Sequence, residues 1–234
     1  MTWLRRFFAA TPTLAPEVTQ RLEAWRALPD VDCGAELESA RFVVVDVETS
    51  GLNLAKDRLI AIGAVAVRGG RIDFCDSFEV VLQQQTASDK ENILIHGIGG
   101  SEQTGGMAPE EALLAFLDFV GKDPLVAFHV TFDETMIKRA MKQFLGLNFK
   151  HAWLDLAYAV PALNPEYARK YRALDQWQNH FRIVNYARHN ALADALCTAQ
   201  LFQVAVLQAR AKQVLHYKGL QALEQAQRWV SWEG

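Results

Sequence analysis

The chain has 234 residues, of which 50% are hydrophobic and 22% are charged. This composition is typical of a soluble globular protein and argues against a chain that is mainly disordered. The formal net charge of −3 excludes a globally basic nucleic-acid binder, but it leaves room for a local basic patch. The three cysteines are widely spaced and form no CxxC pair, so neither a disulfide framework nor a zinc site is expected.

The N-terminal residues 1–38 are expected to form a helical extension. The apolar patch near the start is interrupted at residues 11–13 (Thr-Pro-Thr), which favours a short amphipathic helix over a signal peptide. No run of 18 apolar residues occurs, so no transmembrane helix and no membrane partner are expected, and a cytoplasmic location is predicted. Apolar residues at helical spacing predict a further helix face formed by Val18, Leu22 and Trp25.

Three apolar runs then predict strands. Residues 41–47 form a nearly continuous β-branched run, as in a strand that is buried on both faces. Residues 59–67 and 72–82 form two further runs, and the turn signal at residues 68–71 lies between them. The connections are too short for helical crossovers, so the three strands are expected to form an antiparallel meander.

The remainder of the chain alternates predicted helices and short strands, after a loop-like stretch at residues 83–108. The predicted elements are a helix at 109–120, a strand at 124–129, a helix at 133–145, a strand at 152–156, a helix at 172–181, a long helix from Ala191 that Gly219 breaks, and a last helix to Trp232. A meander followed by strand–helix units implies an α/β fold with a five-stranded mixed sheet flanked by helices.

Four acidic residues lie at the predicted ends of these elements. Asp46 and Glu48 are two residues apart at the end of the first strand and therefore point to one face. Asp133 begins a helix, and Asp194 lies in the first turns of the long helix among apolar neighbours. Each acid alone has an ordinary explanation, as a solvated loop residue or as an acid near a helix N-terminus.

Together the four carboxylates predict a more specific chemistry. They would repel one another in a partly buried site, and two divalent cations, Mg²⁺ or Mn²⁺, would offset their charge and clamp a phosphoryl displacement. His189 lies five residues before Asp194 and has a side chain suited to a general base near neutral pH. A purely structural histidine is the alternative at this position.

Three segments resemble the motifs of DnaQ-like 3′→5′ exonucleases of the DEDDh class. Residues 46–52 (DVETSGL) resemble the first motif, Phe132-Asp133 resembles the second, and residues 189–194 (HNALAD) match HxAxxD, the third. Residues 95–98 (IHGI) and 153–155 (WLD) resemble further landmarks of the family. The resemblance covers roughly residues 40–210. The order and spacing of the motifs, rather than any one motif, make it specific.

The resemblance implies an RNase H-like fold. We predict an exonuclease domain at residues 39–212, a helical extension at 1–38 and a C-terminal helix at 213–234; the last two lie outside the resemblance. It implies that Asp46, Glu48 and Asp194 ligate one metal ion, that Asp46 is shared with a second, and that Asp133 acts on the second through water. Glu48 and His189 would be the catalytic residues. His189 would deprotonate the attacking water, and nucleoside 5′-monophosphates would leave from a 3′ end.

The resemblance also assigns part of the predicted substrate-binding set. The backbone around Thr49 and Gly51 would face the terminal nucleotide, with Leu52 against its base. The full set expected to bind substrate is Thr49, Gly51, Leu52, His96, His129 and Arg188. His129 departs from the family, which usually has Asn four residues before the motif's Asp, and the different reach of the two side chains affects how substrate is positioned.

A local basic segment precedes the His189 motif. Residues 166–189 contain five basic and two acidic side chains, a net excess of +3 that contrasts with the whole chain. This segment either contacts the substrate backbone or forms a solvated helix face, and Tyr167 and Tyr171 either stack on bases or pack internally.

These observations predict a metal-dependent 3′→5′ exonuclease that acts on single-stranded DNA 3′ ends, with a proofreading or repair role and a DNA polymerase as a candidate partner. Two alternatives stay open on the same fold. One is an RNA-trimming exonuclease, and the other is a non-catalytic module that binds nucleic acid or a partner protein.

Overall fold

The structure is a computed structural model that describes residues 12–232. Its strands are β1 (Arg41–Thr49), β2 (Leu59–Arg68), β3 (Arg71–Val81), β4 (Leu125–Ala127) and β5 (Trp153–Asp155). Its helices are α1 (Pro16–Arg26), α2 (Lys90–His96), α3 (Gly100–Thr104), α4 (Pro109–Val120), α5 (Val130–Leu145), α6 (Leu156–Leu163), α7 (Leu174–Phe181), α8 (Ala191–Ala211) and α9 (Tyr217–Trp232).

The five strands form one mixed sheet in the order β3-β2-β1-β4-β5. The pairs β1–β2 and β2–β3 are antiparallel, whereas β1–β4 and β4–β5 are parallel. The predicted α/β fold with a five-stranded mixed sheet is therefore confirmed. Because β1 and β4 run in the same direction, their carboxyl ends, and the residues that follow them, share one edge of the sheet.

The central strand β1 sends alternate side chains into two separate cores. Val43, Val45 and Val47 pack against α4 and α5 on one face. Phe42 and Val44 pack against α8 on the other face, where the Phe42 and Phe202 rings meet edge to face at 5.0 Å. The even-numbered series continues with Asp46 and Glu48, so strand periodicity places both acids on the α8 side.

Helices α1 and α9 pack against the other elements of the fold. Helix α1 is joined to α4 by ion pairs from Arg21 to Glu111 (2.7 Å) and Asp118 (2.6 Å). Tyr217 of α9 is buried in the same core as Phe42. The division into segments 1–38, 39–212 and 213–234 stays a prediction, and the amphipathic helix predicted near the N-terminus lies outside the described residues.

Several predicted elements differ from the structure. The stretch 83–108 contains α2 and α3, and α6 follows β5 directly, where no helix was predicted. Helix α8 ends at Ala211, and Gln213 has a positive φ of 62°; Gly219 instead lies in the first turn of α9, so the predicted break there is wrong. Short, irregular helices such as α2 and α3 give too few turns for a periodic apolar pattern.

Among the described residues, α8 is the one helix long and apolar enough to cross a membrane by length and composition. Half of its most apolar window is buried, and its inner face packs on β1 and β2. The apolar composition is therefore explained by its position in the core of the fold.

Helix α8 begins unusually close to the sheet, and Gly63 of β2 permits this approach. Gly63 is paired with Asp46 across the β1–β2 ladder. A Cβ atom at position 63 would lie 2.2 Å from the carbonyl carbon of Ala191 and from the nitrogen of Leu192. Any side chain there would displace the first turn of α8, which carries Asp194, from the end of β1.

Gly63→Ala is expected to lower the melting temperature. Overpacking of this kind costs about 1–3 kcal/mol, and each kcal/mol corresponds to about 2–4 °C for a domain of this size. Thermal unfolding followed by circular dichroism would measure the change. Gly99→Ala is the matched control, because its Cβ would meet no heavy atom within 4 Å; equal melting temperatures for the two variants would contradict the account.

Candidate active site

Three of the predicted metal-ligating carboxylates meet at the edge of the sheet. Asp46 and Glu48 come from the end of β1, and Asp194 comes from the first turn of α8. One ligand oxygen from each lies within 4.8 Å of the others, and all three residues are half-buried. We call Asp46, Glu48 and Asp194 the acid cluster.

Asp133 adjoins the acid cluster from the opposite face of the sheet. It lies in the first turn of α5, immediately after β4, and is only 6% exposed. Its charge is one of the causes that raise the pKa of Asp46. Burial, reinforced by the nearby charge of Asp155, raises the pKa of Asp133 itself to about 8.

The acid cluster is electrostatically unfavourable on its own. Burial raises the pKa of Asp46 well above its usual range, and the charges of Asp133, Asp194 and Glu48 raise it further. Burial and the charge of Asp194 raise the pKa of Glu48 to about 7. A set of carboxylate oxygens of this density suits a hard divalent cation, which would favour the ionised form of every member.

Asp194 is also bonded to the loop that precedes α8, residues 182–190, which we call the His189 loop. The Asp194 carboxylate accepts hydrogen bonds from the Asn185 side-chain amide and, at 2.8 Å, from the His189 backbone N–H. His189 is exposed and has a φ of 63°. Its backbone is thus attached to a member of the acid cluster, while its imidazole is accessible to solvent.

The turn after β1 contains three of the predicted substrate-binding residues. Thr49 is buried and donates from its hydroxyl to the Gly51 carbonyl at 2.7 Å. Gly51 has a φ of 155°, and a Cβ there would lie 2.6 Å from Asp57 Oδ2. Leu52 is 86% exposed at the tip of the turn. The turn therefore leaves one large apolar side chain facing solvent next to the acid cluster.

Two of the remaining predicted substrate-binding residues, His96 and Arg188, differ in their exposure to solvent. His96 is buried, and both ring nitrogens are used internally, Nδ1 by the Ile98 N–H and Nε2 by Asn92 Oδ1, each at 2.9 Å. Arg188 is exposed in the His189 loop. The substrate contacts of all these residues stay predictions.

The backbone conformation at position 129 explains why a histidine is accommodated there. It caps α5 in the left-handed conformation, with a φ of 65°, and this region is enriched in Asn, Asp and His among residues other than glycine. Its N–H donates to Asp155 Oδ1 at 2.9 Å. The replacement of Asn by His in the second motif is therefore compatible with the local fold.

Asp155 is a fifth acid near the site, and it is buried; the sequence marked it only as a landmark. Its carboxylate accepts from the N–H groups of His129, Val130 and Ala157 at 2.9–3.2 Å. Arg228 of α9 lies 3.4 Å from it. Sequence reasoning also missed Asn185 and Gly63, since neither lies in a recognisable motif and both act through contacts between distant elements.

The basic segment is exposed, but its tyrosines are not free. All five of its basic side chains, Arg169, Lys170, Arg172, Arg182 and Arg188, lie on the surface. Tyr167 and Tyr171 stack on each other at 5.6 Å and pack on the core beneath α7 and α8. The structure thus favours internal packing for the tyrosines.

Comparison with known proteins identifies similar sequences and folds. The family model RNase_T, described as exonuclease, matches residues 43–202. DNA polymerase III subunit epsilon of Aquifex aeolicus (strain VF5) is 32% identical over 165 residues, which are 69% of this chain and 78% of that protein. A PolC-type DNA polymerase III of Thermotoga petrophila is 31% identical over 169 residues, 72% of this chain. The chain spans only 12% of that polymerase's length.

Two solved structures share the fold. Escherichia coli exonuclease I bound to single-stranded DNA has a TM-score of 0.60 and 18% identity, covering 75% of this chain and 42% of that one. Exonuclease X bound to duplex DNA with a 5′ overhang has a TM-score of 0.58 and 16% identity, covering 78% of this chain and 99% of that one. The RNase H-like fold expected from the motifs is therefore confirmed.

The raised pKa of Asp46 predicts a pH-dependent stability. The folded state holds the Asp46 proton more tightly than the unfolded chain, where the pKa is about 3.9, so stability is lost as the pH rises above that value. Asp46→Asn removes this cost. In EDTA, its melting temperature is expected to exceed that of the wild type by a margin that grows between pH 4.5 and pH 8.

Differential scanning fluorimetry across this pH range would measure the margin. Asp175→Asn is the control, because Asp175 is an exposed carboxylate on α7, away from the acid cluster. A margin that stays constant with pH for Asp46→Asn would contradict the electrostatic account.

Proposed function

The chain belongs to the RNase_T exonuclease family, and from this premise we propose that it hydrolyses single-stranded DNA from the 3′ end and releases nucleoside 5′-monophosphates. The observation that carries the proposal is the convergence of Asp46, Glu48 and Asp194, with Asp133 beside them, at one edge of the sheet. Distant parts of the chain supply these four carboxylates, and a module that only bound nucleic acid would gain nothing from their mutual repulsion.

The carboxylates fit divalent cations, and we assign them to two ions of Mg²⁺ or Mn²⁺. Asp46, Glu48 and Asp194 would hold one ion, while Asp46 and Asp133, the latter through water, would hold the other. When bound, such ions neutralise the carboxylates and stabilise the charge that develops on the attacking and leaving oxygens. The pKa values of Asp46, Glu48 and Asp133 are raised. Their ionised forms are therefore unfavourable without a positive charge nearby, which a bound cation would supply.

His189 is the proposed general base. Its exposed imidazole would accept the proton of the attacking water as the new P–O bond forms and the 3′ oxygen of the preceding nucleotide leaves. The hydrogen bond from its backbone N–H to Asp194 keeps the residue beside the acid cluster. An exposed histidine can exchange that proton with solvent between turnovers.

The substrate would enter over exposed side chains on both sides of the acid cluster. Leu52, at the tip of its turn, is available to contact the terminal base, and the exposed basic segment is available to bind backbone phosphates. A single-stranded substrate agrees with the neighbour of the same fold that was solved with single-stranded DNA.

We further propose that the chain acts beside a DNA polymerase in the cytoplasm. Both curated relatives described above carry the name DNA polymerase III, and one of them is its epsilon subunit. A proofreading role predicts that a mismatched 3′ terminus is removed faster than a matched one from a primer–template duplex.

A direct assay tests the activity and its polarity. We expect the purified chain to shorten a 5′-labelled single-stranded DNA stepwise with Mg²⁺ or Mn²⁺, and EDTA to abolish the reaction. His189→Ala is expected to slow hydrolysis by about 10²–10⁴-fold, because the water loses its proton acceptor. His216→Ala is the matched control, since His216 is an exposed histidine at the start of α9 that bonds the Gly34 carbonyl.

Three outcomes would contradict the proposal. Loss of the 5′ label as a mononucleotide would reverse the polarity, and faster cleavage of an RNA oligomer of the same sequence would favour the RNA-trimming alternative. Binding of the oligonucleotide without hydrolysis at any Mn²⁺ concentration would favour the non-catalytic module.

A further inference from the structure

Asp194 is bound at both carboxylate oxygens by the His189 loop. The Asn185 amide donates to Oδ1, and the His189 N–H donates to Oδ2 at 2.8 Å. Asn185 is a half-buried residue of this loop, whereas the next side chain, Tyr186, is 92% exposed. The Asp194 carboxylate therefore links Asn185 to His189, the proposed general base, which lies four residues later in the chain.

The orientation of the Asn185 amide is set by a second hydrogen bond. Its Oδ1 accepts from the Ala187 N–H at 3.0 Å, which closes a tight turn within the loop. Since the oxygen of the amide is used in this way, its NH₂ group is the part that faces Asp194. The same side chain thus shapes the loop and donates to the acid cluster.

His189 adopts a backbone conformation that depends on such bonds. Its φ of 63° lies in the left-handed region, which histidine adopts more often than most residues but at a higher cost than glycine, and which persists where the surroundings support it. The hydrogen bonds that Asn185 and His189 donate to Asp194 hold the loop on both sides of Ala187 and so support this conformation. At the end of the loop, Asn190 caps α8 by accepting from the Ala193 N–H at 2.9 Å.

We propose that Asn185 is a positioning residue that fixes the Asp194 carboxylate for cation binding and, through it, the loop that carries His189. This inference rests on the proposed function, because it assigns Asp194 to a metal ion and His189 to proton transfer. Asn185 acts through Asp194 and is not itself assigned a contact with the substrate. Groups that hydrogen-bond a metal ligand typically contribute 10–100-fold to metal affinity or activity.

Two variants separate the roles of the Asn185 side chain. Asn185→Ala removes both the donor to Asp194 and the acceptor for Ala187. Asn185→Asp keeps the acceptor but replaces the donor by a carboxylate, whose negative charge faces Asp194. Tyr186→Ala is the control for metal binding, because it alters an exposed side chain of the same loop.

Three measurements are made on the full chain. Mn²⁺ binding is followed by electron paramagnetic resonance of the free ion, without nucleic acid. The single-turnover rate of hydrolysis is measured at saturating Mn²⁺, and the melting temperature is measured in EDTA.

We expect Asn185→Ala to weaken Mn²⁺ binding about tenfold and to lower the single-turnover rate at least tenfold even at saturating Mn²⁺. Asn185→Asp is expected to lower the single-turnover rate to a similar extent, although its added charge favours cations. Tyr186→Ala is expected to bind Mn²⁺ as the wild type does. Melting temperatures in EDTA within a few degrees of the wild type would show that the variants are folded.

The inference is overturned if Asn185→Ala binds Mn²⁺ as tightly as the wild type, if Asn185→Asp hydrolyses at the wild-type rate, or if Tyr186→Ala weakens Mn²⁺ binding equally. If Asn185→Ala does not fold, the single-turnover rate of Asn185→Asp, which preserves the turn, decides between the outcomes. A wild type that binds Mn²⁺ without hydrolysing DNA would refute the proposed function alone, and the Mn²⁺ measurement would still decide on Asn185. A wild type that binds no Mn²⁺ would overturn both.

Discussion

Repulsion among carboxylates held at one edge of the sheet is the constraint on which the rest of this structure depends. Asp46, Glu48 and Asp194 lie within a few ångströms of one another, and Asp133 adds its charge from the opposite face. Folding alone gains nothing from this arrangement, because burial and mutual repulsion raise the pKa of Asp46 and Glu48. Such a site is suited to binding a cation. In the absence of a cation, the carboxylates lower the stability of the fold.

The fold meets this constraint by backbone geometry at a few points. Gly63 lets the first turn of α8 approach β2, which brings Asp194 to the end of β1. His129 turns the chain from β4 into α5 in a left-handed conformation and so places Asp133 in the first helical turn. On the outer side, the His189 loop closes on Asp194 through Asn185. These features lie on different elements, and together they place Asp133 and Asp194 beside Asp46 and Glu48.

The sequence predicted the sheet and the acids well, because strong local signals encode both. The β-branched run at 41–47 and the two runs that follow predicted the meander. Motif order selected Asp46, Glu48, Asp133 and Asp194, which lie near one another in the structure, whereas the role of His189 stays a prediction. Helices α2, α3 and α6 were missed because short helices carry little periodic signal. His96 illustrates a different limit, since a motif position does not reveal that both ring nitrogens are already bonded within the protein.

By itself, the amino-acid sequence determined the class of fold, the identity of the acidic residues and the chemistry that such residues favour. These depend on local patterns, namely alternation along strands and residue types at fixed spacing. Only the tertiary structure decided that a glycine on β2 permits the approach of α8, that Asn185 bonds Asp194 and that Asp155 holds the start of α5. These contacts join residues far apart along the chain, and their distances follow from how the helices pack on the sheet, which no local pattern specifies.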